Sequence, residues 1–382
     1  MRWSVLVTLL GGCVQLFGID EVTFDPALGD AGGAADTRDG GVDSRGDSNG
    51  ARLVLPSNRE LIGLLAPTGL VLDVAAGSAF DTSADCGAAS LLGTCVIAAQ
   101  AGLPEICVCR SDELTIRGLA VTGARALAIL ALRSVTVRGA IDVRPGAGEE
   151  STAVISGSAG GSYGTQGGGT STPVTGTPVL VPLVGGARGG GKGGGAGGGA
   201  LQITADQEIR VDAAIATPGG GGTRADCTFE TRHTAATGGG SGGAILLEAR
   251  QVLVTVPLAS NGGGGSAGGL THNALLACGL RGSDGSSEPA AAPGGLGSRQ
   301  CEDRYHGGDG GDGSLGDGNG ETGGLGIGSQ LGDPCSATDR YLTRDGGGGG
   351  GAGRIRINTA TGTCGCTVAT SPTASLGFVE LD

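Results

Sequence analysis

A pattern of alternating apolar residues occurs three times along the chain. Residues 126–143, 200–217 and 244–260 align with one another when a single residue is dropped from the third copy. Apolar residues at every second position, many of them β-branched, indicate strands with one buried face. The aligned copies form apolar columns, of which the first three are Leu127/Leu201/Ile245, Ile129/Ile203/Leu247 and Ala131/Ala205/Ala249. Because such short strands cannot bury this face alone, we expect the copies to stack.

An earlier segment extends the repeat. Four apolar residues stand 21 positions before members of the first copy, in the pairs Ile106/Leu127, Val108/Ile129, Leu114/Val135 and Ile116/Val137. This spacing suits one coil of a parallel β-helix, which adds about 4.8 Å along the axis. A βαβ crossover would need a helical segment, and no run with a 3.6-residue period separates the strands. We therefore predict an all-β fold, a single-stranded parallel β-helix of about five to six right-handed coils.

Glycine-rich inserts interrupt the later repeats, at about 157–199, 219–243 and 262–351. Each insert begins after the third strand of one copy, the strand that contains Ile141, Ile215 or Leu258, and ends before the next copy. All of the inserts are therefore expected to leave from one edge of the stack. Two states remain open for these inserts. Glycine loses the most entropy on ordering, which favours disorder. Extended chains held side by side can instead share backbone hydrogen bonds.

The chain begins with features of an exported protein. Residues 1–13, MRWSVLVTLLGGC, combine a charged start with an apolar run and small residues, as a signal peptide does. The sequence Leu10-Gly11-Gly12-Cys13 resembles the lipobox of bacterial lipoproteins, which implies an acylated Cys13 as the membrane anchor. An ordinary buried strand is the alternative. Residues 14–52, rich in Gly and Asp, are expected to form a flexible tether before a β-helix domain at 53–382.

Composition narrows the range of partners. The formal net charge is −13, because 37 Asp and Glu outnumber 24 Lys and Arg, and aromatic residues make up 2% of the chain. An acidic chain with few aromatic residues has neither the basic stripe nor the stacking platform of a nucleic-acid binder. The same scarcity argues against a sugar site built on aromatic rings. We therefore expect no nucleic-acid partner.

The cysteines predict disulfides. Eleven are present, and apart from Cys13 they form an even set: Cys86, Cys95, Cys107, Cys109, Cys227, Cys278, Cys301, Cys335, Cys364 and Cys366. In an exported protein the oxidised state is expected. With Ile106 and Val108 assigned to the core, Cys107 and Cys109 are predicted to face outward, within reach of the 86–95 loop. A metal site is the alternative, although neither Cys-X-Cys sequence has the spacing of a zinc knuckle.

One insert contains a candidate calcium site. Its hard oxygen ligands are Asp309, Asp312, Asp317, Asn319 and Glu321, within the sequence HGGDGGDGSLGDGNGE. This segment loosely resembles the nonapeptide calcium β-roll, from which it departs in aspartate spacing and in the apolar residue that should fill the roll. Calcium is the one cofactor that the sequence suggests. Serine motifs around Ser241 and Ser266 match a nucleophile elbow only through glycine content, since no helix follows them.

Function is inferred from these features together. Resemblance to pectate-lyase-like β-helices directs attention to outward acids and arginines, and the column Arg138/Asp212/Thr255 predicts an ion pair between adjacent coils. No two carboxylates share a column, so the paired acids of a glycosidase are not evident and no catalytic residue is predicted. Lipobox, tether, cysteine set and glycine inserts resemble glycine-rich surface lipoproteins of Gram-negative bacteria.

This resemblance implies a non-enzymatic, lipid-anchored protein of the outer membrane or cell surface, with a structural or adhesive role. Its expected partners are membrane lipid and extracellular polysaccharide or surface matrix. The alternative is a polysaccharide-binding or polysaccharide-degrading, lyase-like β-helix protein. Assay of turnover on acidic polysaccharides, with and without calcium, separates the two.

Overall fold

A computed structural model describes most of the chain from residue 52 onward. The described residues are 52–87, 89–149, 158–169, 173–223, 236–272, 275–288, 290–297, 299–300, 305–306, 309–321, 341–343 and 345–382. They all belong to one compact unit, Ala51–Asp382. The predicted signal peptide, Cys13 and all but the last residue of the predicted tether lie outside the described residues.

The described residues form strands and almost no helix. One short helix, α1, covers Arg59–Ile62, and no described helix has the length and apolar character needed to cross a membrane. The strands are β1 (Val54–Leu55), β2 (Val71–Val74), β3 (Ser78–Asp81), β4 (Ala89–Ser90), β5 (Gly93–Gln100), β6 (Leu103–Ile116), β7 (Leu119–Thr122), β8 (Ala126–Val137), β9 (Ile141–Val143), β10 (Ala200–Ala205), β11 (Glu208–Val211), β12 (Ile215–Ala216), β13 (Ala244–Glu248), β14 (Gln251–Val254), β15 (Leu258–Ala259), β16 (Leu270–His272), β17 (Leu275–Ala277), β18 (Arg299–Gln300), β19 (Tyr305–His306), β20 (Tyr341–Thr343), β21 (Arg354–Thr359), β22 (Gly365–Cys366), β23 (Ser375–Phe378) and β24 (Glu380–Leu381).

The predicted single-stranded parallel β-helix is wrong. The strands assemble into multi-stranded sheets, and the largest contains 12 strands in both parallel and antiparallel pairs. Its main path runs β22-β14-β11-β8-β10-β13-β21-β23. Strand β6 also pairs with β8, and it carries β2 and β5 as further partners, with β4 paired to β5. A second, five-stranded sheet has the order β15-β12-β9-β7-β3. The antiparallel pairs come from β5, which pairs with β4 and β6. The long strand β8 joins two parallel groups of strands into one sheet, because it pairs with β10 through its first half and with β11 through its second.

The alignment of the three repeats is confirmed by the strand register. Leu201 pairs with Leu127 on one side and with Ile245 on the other, and Ile355 continues the row. These residues are at most 2% exposed and belong to the main core cluster. The later columns align in the same way, through Val135/Ile209/Val252 and Ile141/Ile215/Leu258. Aliphatic side chains matched between repeats therefore form the main core.

The register of β6 differs from the prediction by one residue over its first half. Cys107 pairs with Leu127 and Cys109 with Ile129, whereas Leu114 pairs with Val135 as predicted. The register shifts between Ser111 and Glu113, where two residues of β8 face one residue of β6. Such a bulge transfers every side chain before it to the opposite face. Cys107 and Cys109 consequently lie in the main core and do not face outward.

The first half of β8 and the strands β10 and β13 beside it are buried on both faces, although the sequence predicted one buried face. Side chains of the second face form a separate core cluster that includes Ala128, Leu130 and Leu246. The N-terminal segment covers this cluster with Val54 and Ile62, and Leu180 from the first insert adds to it. Strand β1 also pairs antiparallel with β24, which joins the two ends of the described chain. Layers from distant parts of the sequence thus bury the second face.

The described parts of the glycine-rich inserts pack as extended chains, and we call them together the glycine bundle. The backbone N–H groups of residues 238–243 donate at 2.8–3.0 Å, and their direction repeats every three residues. Residues 238 and 241 donate to segment 187–190, 239 and 242 to segment 348–351, and 240 and 243 to segment 217–220. Carbonyl groups of the same stretch accept from three further segments, near residues 161, 195–198 and 263. A three-residue period without internal hydrogen bonds is that of a polyproline II helix.

The close spacing of these chains requires glycine. A Cβ atom added at Gly240 would overlap the carbonyl oxygen of Ala196, and one added at Gly350 would overlap the carbonyl oxygen of Gly240. The same restriction applies at the axis of collagen, where only glycine fits. Of the two states left open by the sequence, packed chains are therefore the state of the described insert residues.

Candidate functional site

A broad exposed surface covers one side of six parallel strands, β2-β6-β8-β11-β14-β22. Alternate residues of these strands point into the core, and those between them are exposed or half-buried. We call this surface the polar face, and it is formed by Asp73, Glu113, Thr115, Arg117, Arg133, Ser134, Thr136, Arg138, Glu208, Arg210, Asp212, Gln251, Leu253 and Thr255. With strands about 4.8 Å apart, six strands extend roughly 24 Å across the sheet.

Ion pairs order the arginines and acids of the polar face. Arg117 binds Asp73 through two hydrogen bonds, Nε to Oδ1 and Nη2 to Oδ2, both 2.8 Å long. The hydrogen bond from Arg117 is the main reason that the pKa of Asp73 lies below its usual value. Arg133 lies 3.0 Å from Glu113 on the neighbouring strand. Since these groups are well exposed, the pairs orient side chains more than they stabilise the fold.

The ion pair predicted between Arg138 and Asp212 does not form. Asp212 accepts a 2.7 Å hydrogen bond from Nε of Arg210 on its own strand and one of 3.2 Å from Oγ1 of Thr255. The bond from Arg210 is the main cause of the lowered pKa of Asp212, and the positive charge of Arg138 adds to it. Among the described residues, the Arg138 guanidinium has no hydrogen-bond or ion-pair partner. It remains available to a ligand at the carboxyl end of β8, the third of the six strands.

The polar face is electrically balanced, unlike the chain as a whole. Four arginines and four carboxylates lie on it: Arg117, Arg133, Arg138 and Arg210, with Asp73, Glu113, Glu208 and Asp212. Threonines from neighbouring strands stand between them, Thr115 directly beside Thr136. Hydrogen-bond donors and acceptors thus alternate across a supported surface, and such a surface suits a ligand rich in hydroxyl groups.

The N-terminal cysteines form two neighbouring cross-links, Cys86–Cys107 and Cys95–Cys109, with Cα–Cα distances of 5.7 and 4.0 Å. The prediction that Cys107 and Cys109 reach the 86–95 loop is confirmed. The sulfur atoms of Cys95, Cys107 and Cys109 lie within 4.8 Å of one another, the only such group of three potential metal ligands in the described part of the chain. All three are disulfide-bonded, so none of them is present as the thiolate that a metal requires.

The remaining cysteines are described in part. Cys364 and Cys366 are within disulfide distance of each other, and Cys278 is disulfide-bonded. Cys227, Cys301 and Cys335 lie outside the described residues. Of the histidines, His233 also lies outside them, while His272 and His306 fall in β16 and β19.

The five candidate calcium ligands are used separately. Four of the side chains accept hydrogen bonds at distinct places: Asp309 from Gly297 N at 2.7 Å, Asp312 from Gly294 N at 2.7 Å, Asp317 from Thr373 N and Oγ1 at 3.0 and 2.7 Å, and Asn319 from Gln166 N at 3.0 Å. Glu321 contributes its backbone, which bonds to Asp312 and Gly349. Across the described residues, no three of the four carboxylates bring oxygen atoms within 4.8 Å of one another. The structure therefore does not assemble these residues into one site.

The two serines of the apparent nucleophile motifs are buried in the glycine bundle. Oγ of Ser241 accepts a 2.8 Å hydrogen bond from Ala187 N, and Oγ of Ser266 accepts one of 2.7 Å from Thr237 N. Both side chains are inaccessible. Their hydroxyl groups hold neighbouring chains together, in agreement with the interpretation of these motifs as products of glycine content.

A buried polar cluster was missed by the sequence reasoning. Glu248 is 1% exposed, and its carboxylate accepts hydrogen bonds from Gln202 Nε2 at 2.8 Å, Thr204 Oγ1 at 3.1 Å and Asn358 Nδ2 at 3.0 Å. Ser57 adds its backbone N–H at 3.1 Å and its hydroxyl group. A usable signal was present, because polar Thr204, Glu248 and Asn358 occupy one column of successive strands. The cluster anchors the N-terminal segment on the sheet.

No protein-family model, curated protein or solved structure matches the chain. Function is consequently argued from the chemistry of the described surfaces.

Proposed function

We propose that this protein is a non-enzymatic adhesive or structural protein of the cell envelope. In this proposal it is exported, attached to membrane lipid through acylated Cys13, and in contact with matrix polysaccharide through the polar face. The observation that carries the proposal is the polar face itself, a charge-balanced surface of six strands supported by a buried core.

The polar face suits a repeating polymer. Each strand presents polar groups about 4.8 Å from the next, so a chain lying across the sheet meets donors and acceptors at regular intervals. Ion pairs such as Arg117–Asp73 hold the side chains in place before binding, which lowers the entropy lost on contact. Individually weak contacts then combine along the polymer, because each bound unit raises the effective concentration of the next.

Cysteine chemistry supports export. Two neighbouring cross-links lie among the first strands, and disulfides persist mainly in oxidising compartments. The lipobox-like sequence that ends at Cys13 adds a route to the membrane. We expect Cys13→Ser to move the protein from the membrane fraction to the soluble fraction and to abolish incorporation of labelled fatty acid. Unchanged labelling in this variant would exclude Cys13 as the acylation site.

The adhesive role is tested with the full chain and insoluble polysaccharides, including isolated envelope matrix, by co-sedimentation. We expect Arg138→Glu to weaken binding by about tenfold, because it reverses the charge of a guanidinium that has no ion-pair partner among the described residues. Lys192→Glu is the matched control, since it makes the same charge change at an exposed position of the glycine bundle.

Two results would overturn the proposal. The first is equal loss of binding in both variants, which would show an effect of net charge alone. The second is release of reducing ends or unsaturated sugars at ordinary enzyme rates, which would make the protein an enzyme.

A further inference from the structure

A groove of about 460 Å³ lies between the five-stranded sheet and the insert segment 284–287. Residues of β9 and β12 line one side, with Asp142 and Ala216 among them, and Asp284 and Ser287 line the other. Its volume is within the range of about 300–1,000 Å³ typical of ligand sites. None of its lining residues belongs to the polar face.

Hydrogen bonds hold the insert side of the groove in position. Asp284 Oδ1 accepts from Gly221 N at 2.8 Å, and Gly285 N donates to the Gly219 carbonyl oxygen at 2.8 Å. Buried Asn261 donates from Nδ2 to the carbonyl oxygen of Ser286 at 2.9 Å. Because these bonds fix the segment to the glycine bundle, the groove exists before a ligand arrives, and binding does not have to order it.

The lining combines small apolar surfaces with a few charged groups. Alanine and proline side chains form most of the apolar part, namely Ala140, Pro145, Ala214, Ala216 and Pro218. Asp142 and Arg144 stand at one edge, 3.5 Å apart at their closest atoms. Asp284 accepts bonds only through Oδ1 among the described residues, so Oδ2 retains its full hydrogen-bonding capacity.

These groups match the surface of a neutral sugar. Hydroxyl groups donate to the carboxylates of Asp142 and Asp284 and accept from the guanidinium of Arg144, while the C–H faces of a pyranose ring cover alanine and proline. An anionic sugar would find no unpaired cation among the described residues that line the groove, because Arg144 pairs with Asp142. Arg281, beside the lining, pairs with Asp284. A purely apolar ligand would displace water from these charged groups and offer no hydrogen bond in return, for example to Oδ2 of Asp284.

We infer that this groove binds a neutral saccharide unit. This assignment rests on the proposed contact with polysaccharide. It adds that the recognised sugar unit is uncharged and that a second site, separate from the polar face, binds it.

The test measures binding of short, soluble glucan, mannan and xylan oligosaccharides to the full chain by titration calorimetry, with an oligogalacturonate as the acidic comparison. We expect at least one neutral oligosaccharide to bind more tightly than the acidic one. Asp142→Ala should weaken this binding by about tenfold, because it removes a charged acceptor. Ala140→Trp should abolish it by filling the groove from an exposed position.

Glu105→Ala is the matched control. Glu105 is an ion-paired carboxylate with 46% side-chain exposure, close to the 48% of Asp142, and it lies outside both the groove and the polar face. This variant should bind oligosaccharide as the unaltered protein does. Unchanged melting temperatures in all variants would show that the substitutions act on binding and not on folding.

The outcomes separate this inference from the proposed function. If no neutral oligosaccharide binds, if the acidic one binds more tightly, or if Ala140→Trp binds normally, the groove assignment is wrong even when polymer co-sedimentation persists. If oligosaccharides bind in the groove while Arg138→Glu leaves co-sedimentation unchanged, the groove assignment stands and the polar-face proposal fails.

Discussion

Replacement of Glu248 by alanine tests whether the buried polar cluster holds the N-terminal segment on the sheet. The substitution removes the acceptor shared by Gln202, Thr204, Asn358 and Ser57. Each buried donor left without a partner costs about 1–3 kcal/mol. Two of them can partly re-pair, since Gln202 Nε2 is also 3.1 Å from Thr204 Oγ1 and Asn358 Nδ2 is 3.4 Å from Ser57 Oγ.

We therefore expect a loss of about 3–5 kcal/mol in the free energy of unfolding, as is usual when one member of a buried charged network is removed. Urea titration of the oxidised full chain measures this change. Glu248→Gln should lose less, because one carbonyl oxygen still accepts hydrogen bonds at the same place. Glu105→Ala, at an exposed carboxylate, provides the control and should stay within about 0.5 kcal/mol of the unaltered protein.

Hydrogen exchange locates the effect. Val54 N donates to buried Asp206 at 2.9 Å, so its amide proton is protected while the N-terminal segment is docked. In Glu248→Ala this amide and that of Ser57 should exchange faster than amides in β8, because the segment separates before the core opens. A loss of stability below about 1 kcal/mol with unchanged protection at Val54 would refute the proposed anchoring role.

Three further predictions concern other parts of the fold. Gly240→Ala should lower the free energy of unfolding by about 1–3 kcal/mol through overlap with a neighbouring carbonyl oxygen, as measured by thermal melting. Joint replacement of Cys95 and Cys109 by alanine, which opens a link across 14 residues, should cost about 3 kcal/mol in urea, and a change near zero would contradict its structural role. By NMR, Asp73 should titrate below the ordinary aspartate pKa and return toward it in Arg117→Gln. The stabilisation from this lowered pKa is fully present above the ordinary aspartate pKa and is lost as pH falls through the pKa of the folded protein. If Asp73 titrates at the same pH in Arg117→Gln as in the unaltered protein, Arg117 is not the cause of the lowered pKa.

The repeat register could be predicted for most columns but not for the first half of β6. Alignment of the three copies identifies the shared apolar columns of β8, β10 and β13, so the register of these strands follows from the sequence. Residues 106–109, in contrast, read Ile-Cys-Val-Cys, and either face of that strand is suitable for burial. Only the bulge between β6 and β8 decides that the cysteines face the main core.

The candidate sites show a similar division. The outward positions of Arg138, Asp212 and Thr255 followed from the two-residue period, whereas the partner of Asp212 is Arg210, chosen by side-chain reach within one strand. The groove has no sequence signature, because its two sides come from residues near 142 and near 284 and meet only through packing.

Local period and composition were enough to predict that residues 126–143, 200–217 and 244–260 contain strands, that their apolar columns align, and that glycine fills the inserts. Tertiary structure decided the multi-stranded mixed sheet, the burial of its second face by the N-terminal segment, and the three-residue hydrogen-bond pattern of the glycine bundle. The physical reason is that apolar periodicity specifies which side of a strand avoids water, but it does not specify the layer that covers it. Backbone hydrogen bonds between distant glycines leave no side-chain pattern at all, so only the packed chain reveals them.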